Sequence, residues 1–174
     1  AALAHRLNID NFDGIRVAIQ GAGSVAFALT KQLTDAGAKI IACDTNQETL
    51  RNLKDHFNVE TVEAQEIYDV DCDIFSPCAL GGTINFSSIQ QIKASIIAGS
   101  ANNQLSHPSI ATLLVEKNIL YAPDFVINSG GLINAAIVYD YQNPALADTK
   151  INQLYSTLLN LFEMASKEKV NTQE

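Results

Sequence analysis

Apolar runs of strand length alternate with segments of helical periodicity along most of the chain. The apolar runs cover residues 15–20, 38–43, 59–62, 73–75, 95–98 and 119–121. The helical patterns between and after them cover residues 24–36, 47–57, 64–68, 86–93 and 108–117. This alternation predicts an α/β fold of three layers, in which a doubly wound parallel sheet carries helices on both faces.

Both ends of the chain have helical patterns. Residues 1–10 read as the end of a helix that leads into the first strand, and residues 147–169 predict a long C-terminal helix. The apolar residues on one stripe of that helix are Ile151, Leu154, Leu158, Leu161 and Phe162. An amphipathic helix of this length needs a surface to cover, so we expect it to pack on this domain or on another one.

A glycine turn follows the first apolar run. Residues 16–26 read RVAIQGAGSVA, which places Gly21, Gly23 and Ala26 between a strand and a helix. Gly21 permits a tight turn, Gly23 lets the backbone approach a pyrophosphate, and Ala26 permits close packing of the helix on the strand. The N–H groups at the start of the helix then face the phosphates. This arrangement predicts a Rossmann-type dinucleotide site, with an ordinary glycine-rich turn as the alternative.

An acidic residue, Asp44, stands at the end of the second apolar run. A carboxylate at this place accepts hydrogen bonds from the hydroxyls of an adenine ribose and repels a 2′-phosphate. The following residues, 45–47, provide no arginine for such a phosphate, so the pattern favours NAD over NADP. The alternative is that Asp44 caps the helix that begins near Gln47.

The segments after the other strands are small, polar or rich in glycine, notably residues 76–83, 99–104 and 122–131. Because the carboxyl ends of parallel strands share one edge, these loops predict a continuous crevice for an extended ligand. Three amides there, Asn102, Asn103 and Asn128, suit an uncharged nicotinamide carboxamide and its ribose. As alternatives, Asn103 is a turn residue and Asn128 caps the next helix.

Composition narrows the class of protein. With 174 residues and 47% hydrophobic content, the chain is long enough for one domain with a full core, and its net charge of −8 argues against nucleic-acid binding. Cys43, Cys72 and Cys78 lack the spacing of a disulfide framework or a metal site, which favours buried thiols in a reducing cytosol. No stretch resembles a membrane span or a signal peptide, so we expect a cytoplasmic protein.

Three of these loops carry a family resemblance. SPCALGG at 76–82, AGSANNQL at 98–105 and APDFVINSGGLIN at 122–134 resemble the NAD-binding half of the Glu/Leu/Phe/Val amino-acid dehydrogenases, nearest to their leucine-specific branch. The resemblance implies an oxidoreductase that uses NAD for the reversible oxidative deamination of an L-amino acid, in particular leucine, valine or isoleucine. The products are a 2-oxo acid and ammonia. It also implies a homo-oligomer in the full-length enzyme.

The resemblance also assigns roles to residues. It places the pyrophosphate at Gly21, Ala22, Gly23, Ser24, Val25 and Ala26, and the adenine ribose at Asp44. The rest of the cofactor lies along Cys78, Ala79, Leu80, Ala101 and Asn103. The substrate pocket is assigned to Asn103, Leu132 and Ala135. Asn102 and Ala135 depart from the family, which often has aspartate and valine there, so the pocket admits a bulkier substrate. The helical spacing of Leu132 and Ala135 equally fits a plain core role.

No general base for deamination stands in this sequence with a suitable partner, and the resemblance implies that the catalytic lysines and aspartate belong to a separate N-terminal domain. We therefore expect residues 1–174 to form one NAD-binding domain without that catalytic domain, inactive alone. Residues 1–12 would end an interdomain helix, residues 13–145 form the Rossmann core, and residues 146–174 form the C-terminal helix. The alternatives are a regulatory NAD-binding module without enzyme activity and a different Rossmann oxidoreductase.

Overall fold

A computed structural model describes residues 1–141 and 144–174. Within them the chain forms a six-stranded sheet in the order β3-β2-β1-β4-β5-β6, and every neighbouring pair is parallel. The strands are β1 (Arg16–Gln20), β2 (Lys39–Cys43), β3 (Glu60–Thr61), β4 (Ile74–Pro77), β5 (Ile96–Ile97) and β6 (Leu120–Tyr121). Each lies at or within a predicted apolar run, except that β4 continues to Pro77. The doubly wound parallel sheet is therefore confirmed.

The strand order reverses next to β1. The chain runs from β1 to β2 and β3 on one side, then returns so that β4 pairs with β1 on the other side. Val17 is thus level with Ile40 of β2 and with Ile74 of β4. At such a switch point the loops after β1 and β4 leave in opposite directions, which opens a crevice at the carboxyl edge of the sheet.

Nine α-helices flank the sheet in the described residues. They are α1 (Ala2–Leu7), α2 (Ser24–Asp35), α3 (Gln47–Phe57), α4 (Ser88–Gln91), α5 (Ser109–Glu116), α6 (Asp124–Ile127), α7 (Gly130–Tyr141), α8 (Pro144–Asn152) and α9 (Leu154–Glu168). The predicted helix at 64–68 is instead a 3₁₀ turn at Ile67–Asp69, and the helix predicted at 86–93 is shorter. The sequence patterns did not predict α6.

The C-terminal helix is present as α9, although the predicted span 147–169 is interrupted at Gln153. The hydroxyls of Ser156 and Thr157 both donate to the Gln153 carbonyl, at 2.9 and 3.0 Å. The Thr157 N–H also donates to this carbonyl at 3.0 Å, so Gln153 is the N-cap residue at which α9 begins. Phe162 from the predicted stripe is buried, and the other members of the stripe are half-buried.

Both faces of the sheet are covered. Along β1, Val17 and Ile19 pack into one core cluster while Ala18 packs into the other, and all three are at most 1% exposed. A strand buried on both sides explains why its sequence is a continuous apolar run without polar alternation. The result is the predicted three-layer arrangement.

The cysteines are unpaired thiols. Cys43 is buried, whereas Cys72 and Cys78 are half-buried. Burial raises the pKa of both Cys43 and Cys72 from 9.0 to about 11. Among residues 1–141 and 144–174, no group of three or more metal-binding side chains is found, and no helix is long and apolar enough to cross a membrane.

Candidate functional site

The glycine turn lies between the ends of β1, β2 and β4. The Gly21 N–H donates to the Cys43 carbonyl at 2.8 Å, and the Cys78 N–H donates to the Gln20 carbonyl at 2.8 Å. Gly21 has a φ of +105°, and a Cβ there would lie 3.0 Å from the Cβ of Ala79. A side chain at Gly21 would therefore be strained and would also press on the loop after β4.

The start of α2 is open. Gly23 is its N-cap residue, and among the described residues the first turn has no side-chain cap hydrogen bond. A Cβ built at Gly23 meets no atom within 4 Å, and Ser24 and Val25 are exposed. Ala26, by contrast, is 1% exposed and packs in the core, as a small residue between helix and strand should. The first turn therefore presents unpaired N–H groups and a positive dipole end to free space.

Asp44 joins the second strand to the glycine turn. Its Oδ2 accepts from the Ala22 N–H at 2.6 Å, and its Oδ1 accepts from the Asn46 N–H at 2.7 Å. The cap of α3 is Asn46 instead, whose Oδ1 accepts from Glu48 and Thr49 at 2.9 and 3.3 Å. The alternative in which Asp44 caps α3 is therefore wrong, and its half-buried carboxylate lies beside the glycine turn.

The loops after β4 and β5 pack backbone against backbone. Ala101 is 4% exposed, and its N–H donates to the Pro77 carbonyl at 2.9 Å. A Cβ at Gly99 would lie 2.2 Å from the same carbonyl oxygen, so this position accepts no side chain. Gly99 has no individual role among the sequence predictions, although a glycine directly after a strand end is a signal for close approach. Cys78 is half-buried, and Leu80 is 77% exposed.

The three amides lie on neighbouring loops. Asn128, at the C-terminal end of α6, donates through Nδ2 to the Oδ1 of Asn102 at 2.6 Å. Asn103 has a φ of +51°, so its backbone does adopt the turn conformation expected as an alternative. Its exposed side-chain amide has no hydrogen-bond partner in the described part of the chain. That amide is therefore available to a ligand.

The helix α7 lies outside the core. Leu132 is 74% exposed and Ala135 is also exposed, so the alternative that these two residues fill the core is wrong. The main packing partner of α7 is α8. Both side chains are therefore accessible on α7, which follows the loops that contain Asn102, Asn103 and Asn128.

An apolar cavity of about 400 Å³ lies apart from the glycine turn. Its walls come from α1, α2, α9 and the middle of the sheet, and it meets the loop after β5 at Gly99 and Ser100. Neither Asp44 nor residues 21–26 line it. An open crevice at the strand ends, rather than this cavity, is the surface that suits an extended ligand.

Among the described residues, no histidine contacts the glycine turn, Asp44 or the asparagines of the crevice. Each histidine has partners of its own: the His5 ring lies 5.3 Å from that of Phe162, the His56 ring 5.3 Å from that of Phe27, and His107 Nδ1 lies 2.7 Å from Ser109 Oγ. The crevice described here thus combines backbone N–H groups, amides and one carboxylate. Such groups bind and orient a ligand, and they do not form a nucleophile and base pair.

Comparison with known proteins matched the sequence model described as Glutamate/Leucine/Phenylalanine/Valine dehydrogenase over residues 1–55 and 44–158. The leucine dehydrogenase of Geobacillus stearothermophilus is 43% identical over 173 residues, which are 99% of this chain and 47% of the relative. The L-tryptophan dehydrogenase of Nostoc punctiforme is 40% identical over 178 residues. Its crystal structure superposes with a TM-score of 0.96 at 39% identity, covering 99% of this chain and 53% of that one. The chain spans about half the length of the curated relatives it matches.

Proposed function

The chain belongs to the Glutamate/Leucine/Phenylalanine/Valine dehydrogenase family, and from this premise we propose that it is the NAD-binding part of an amino-acid dehydrogenase. The enzyme would catalyse the reversible oxidative deamination of an L-amino acid to a 2-oxo acid and ammonia. One observation carries the assignment of the cofactor site. The uncapped start of α2 lies beside Asp44, which is already bound to the Ala22 N–H of the same turn.

In this proposal the N–H groups of residues 23–26 bind the pyrophosphate. The open space at Gly23 lets phosphate oxygens approach the backbone, and the dipole of the 12-residue helix α2 favours their negative charge. Val25 and Leu80 are 57% and 77% exposed and offer apolar contact beside the phosphates. When bound, NAD supplies the nicotinamide ring that accepts a hydride from the substrate.

Asp44 binds the adenine ribose in this proposal. Its two hydrogen bonds to backbone N–H groups hold the carboxylate in place before a ligand arrives. A 2′-phosphate would meet that negative charge, and residues 45–47 supply no cation to offset it. NAD is therefore the expected cofactor and NADP the disfavoured one.

The nicotinamide end of the cofactor lies along the loops after β4, β5 and β6. The backbone contact between Ala101 and Pro77 forms the floor there, and the unpaired Asn103 amide supplies both a donor and an acceptor. A carboxamide and a ribose need such groups and need no charge. Cys78, Ala79 and Asn103 would line this part of the cofactor.

The substrate is an L-amino acid with an apolar side chain. Leu132 and Ala135 are exposed on α7, after the asparagine loops, and offer an apolar surface without charge. We expect leucine, valine or isoleucine, and the small side chain of Ala135 leaves room for a larger substrate. The general base and the contacts that assemble a homo-oligomer would come from the part of the relatives that this chain does not span.

The decisive experiment is a calorimetric titration of the 174-residue chain with NADH, repeated for Gly23→Ala. The variant should keep its thermal stability, because the added Cβ meets no protein atom within 4 Å. Its affinity should fall about tenfold or more, because the methyl group occupies the path of the phosphates.

Gln32→Ala is the matched control. It alters an exposed side chain at the far end of the same helix and should change neither stability nor affinity. No binding of NADH by the parent chain, or equal binding by Gly23→Ala, would contradict the assigned site.

A further inference from the structure

The peptide groups of Asn103 are held from both sides. Its carbonyl accepts from the Gly82 N–H at 2.8 Å, and its N–H donates to the Oδ2 of Asp124. The next residue, Gln104, is fully buried, and its Nε2 donates to the carbonyls of Gly99 and Ala101 at 2.7 and 2.9 Å. The loop is therefore anchored along its backbone while the Asn103 side chain stays free.

Asp124 is itself fixed. It is the first residue of α6, and its Oδ1 accepts from the Tyr121 hydroxyl at 3.0 Å. Tyr121 is 3% exposed, and its own carbonyl accepts from the Thr172 hydroxyl at 2.8 Å. Burial, followed by the nearby charge of Asp124, raises the pKa of Tyr121, so its hydroxyl remains a donor at neutral pH. Each carboxylate oxygen of Asp124 therefore has one assigned donor.

This arrangement bears on the direction of the Asn103 amide. A residue at φ +51° pays a steric cost that a fixed hydrogen bond has to offset. A bond from a backbone N–H to a carboxylate is charge-assisted and stronger than one to a neutral acceptor. Without the Asp124 carboxylate, the Asn103 peptide loses one of its two anchors and can rotate, which moves the side chain attached to it.

We propose that Asp124, oriented by Tyr121, is a positioning residue that aims the free Asn103 amide at the nicotinamide end of the dinucleotide. The inference rests on the proposed function, because it concerns the same cofactor. It adds a specific task for two side chains, Asp124 and Tyr121, that have no individual role among the sequence predictions. Neither Asp124 nor Tyr121 needs to touch the cofactor for this task.

The test compares two ligands on the 174-residue chain. NADH reaches both ends of the site, whereas ADP ends at the diphosphate and lacks the nicotinamide and its ribose. Asp124→Ala should weaken NADH binding about tenfold, because the nicotinamide end loses its fixed amide, and should leave ADP binding within about twofold. Asp124→Asn retains an acceptor and should lie between parent and Asp124→Ala. Tyr121→Phe should weaken NADH binding less than Asp124→Ala.

Hydrogen exchange supplies a readout that needs no ligand. The Asn103 N–H should exchange faster in Asp124→Ala than in the parent, while the Gly21 N–H, which donates to the Cys43 carbonyl, keeps its protection. Asp35→Asn, which alters an exposed carboxylate paired with Lys31, is the control and should behave as the parent in every measurement.

The outcomes separate the two proposals. Selective loss of NADH affinity with faster Asn103 exchange supports the positioning role. Equal weakening of NADH and ADP in Asp124→Ala, or unchanged NADH affinity, overturns it while leaving the cofactor site intact. If the parent chain binds neither ligand, the proposed function fails and this inference fails with it.

Discussion

Asp44 and Asn46 stand two residues apart and accept hydrogen bonds from different parts of the backbone. Asp44 bonds Ala22 across the sheet edge, whereas Asn46 bonds the first turn of its own helix. The first contact joins two strands at the candidate cofactor site, and the second stabilises α3 locally. Substitution at each position should therefore affect a different property of the protein.

We expect Asp44→Ala to weaken NADH binding by about 1.5–3 kcal/mol, the usual size for losing a hydrogen bond to a charged group. The same change should narrow the preference for NADH over NADPH, because the repelling charge is gone.

Asn46→Ala should lower the free energy of unfolding by about 1 kcal/mol through loss of the cap, with NADH affinity unchanged.

Calorimetry with both dinucleotides and urea denaturation measure these effects. Asp55→Ala, an exposed carboxylate near the end of α3, is the control for charge alone. Unchanged NADH affinity in Asp44→Ala would restrict Asp44 to a structural role in the turn.

At the scale of elements, α1 and α9 act as a cover for one face of the sheet. Leu3 of α1 belongs to the core cluster that contains Val17 and Ile96, and Phe162 of α9 packs beside α1, where its ring lies 5.3 Å from that of His5. The helices α2 and α3 occupy the same face over β1 and β2. The C-terminal helix therefore packs against α1 and α6.

Removal of the buried Phe162 ring, which holds α9 against the rest of the fold, should lower the stability of the protein. Phe162 is 1% exposed, and we expect Phe162→Ala to lower the free energy of unfolding by about 3–5 kcal/mol, the range for deleting a buried ring. Met164 is two residues further along and 61% exposed, so Met164→Ala should change stability by no more than about 0.5 kcal/mol. Urea denaturation followed by circular dichroism distinguishes the two. If Phe162→Ala lowered the free energy of unfolding as little as Met164→Ala, then α9 would contribute little to the stability of the fold.

At the scale of the whole molecule, the chain carries a net charge of −8 and keeps its thiols out of water to different degrees. Burial raises the pKa of the Cys43 and Cys72 thiols from the ordinary 9.0 to about 11. Burial also raises the pKa of Tyr121, at the end of β6. At alkaline pH, deprotonation therefore involves two cysteine thiols and a tyrosine hydroxyl whose folded-state pKa values are raised.

The sign of the pH effect follows from linkage. Between about pH 9 and pH 11 the folded chain holds thiol protons that the unfolded chain has released, so the free energy of unfolding should fall as the pH rises. Cys43 should contribute on the order of 1 kcal/mol to this fall. Urea denaturation at intervals from pH 8 to pH 11 measures it, and Cys43→Ala should show a shallower decline than the parent. Stability that rises across this window would contradict the assignment.

Several elements were predictable because their causes are local. The helix over Gln47–Phe57 has the predicted bounds, since its periodicity and its polar start lie within one short segment. The break at Gln153 and the four-residue helix α6 were missed, because a helical pattern of apolar positions does not show a break of one residue or a helix of a single turn. The position of Gly99 after a strand signals close approach of another segment, but the segment itself, Pro77 of β4, belongs to a different strand and could not be identified from the local sequence.

The sequence by itself determined the strand runs and the glycine turn, because hydrophobic periodicity and glycine stereochemistry are properties of consecutive residues. The motifs at 76–82, 98–105 and 122–134 carried the resemblance to the family. Tertiary structure decided which side chains meet. It bound Asp44 to Ala22, left Leu132 exposed and placed Asp124 against Asn103. The physical reason is that parallel crossovers bring residues far apart in the chain to one sheet edge, where strand order and register set the contacts.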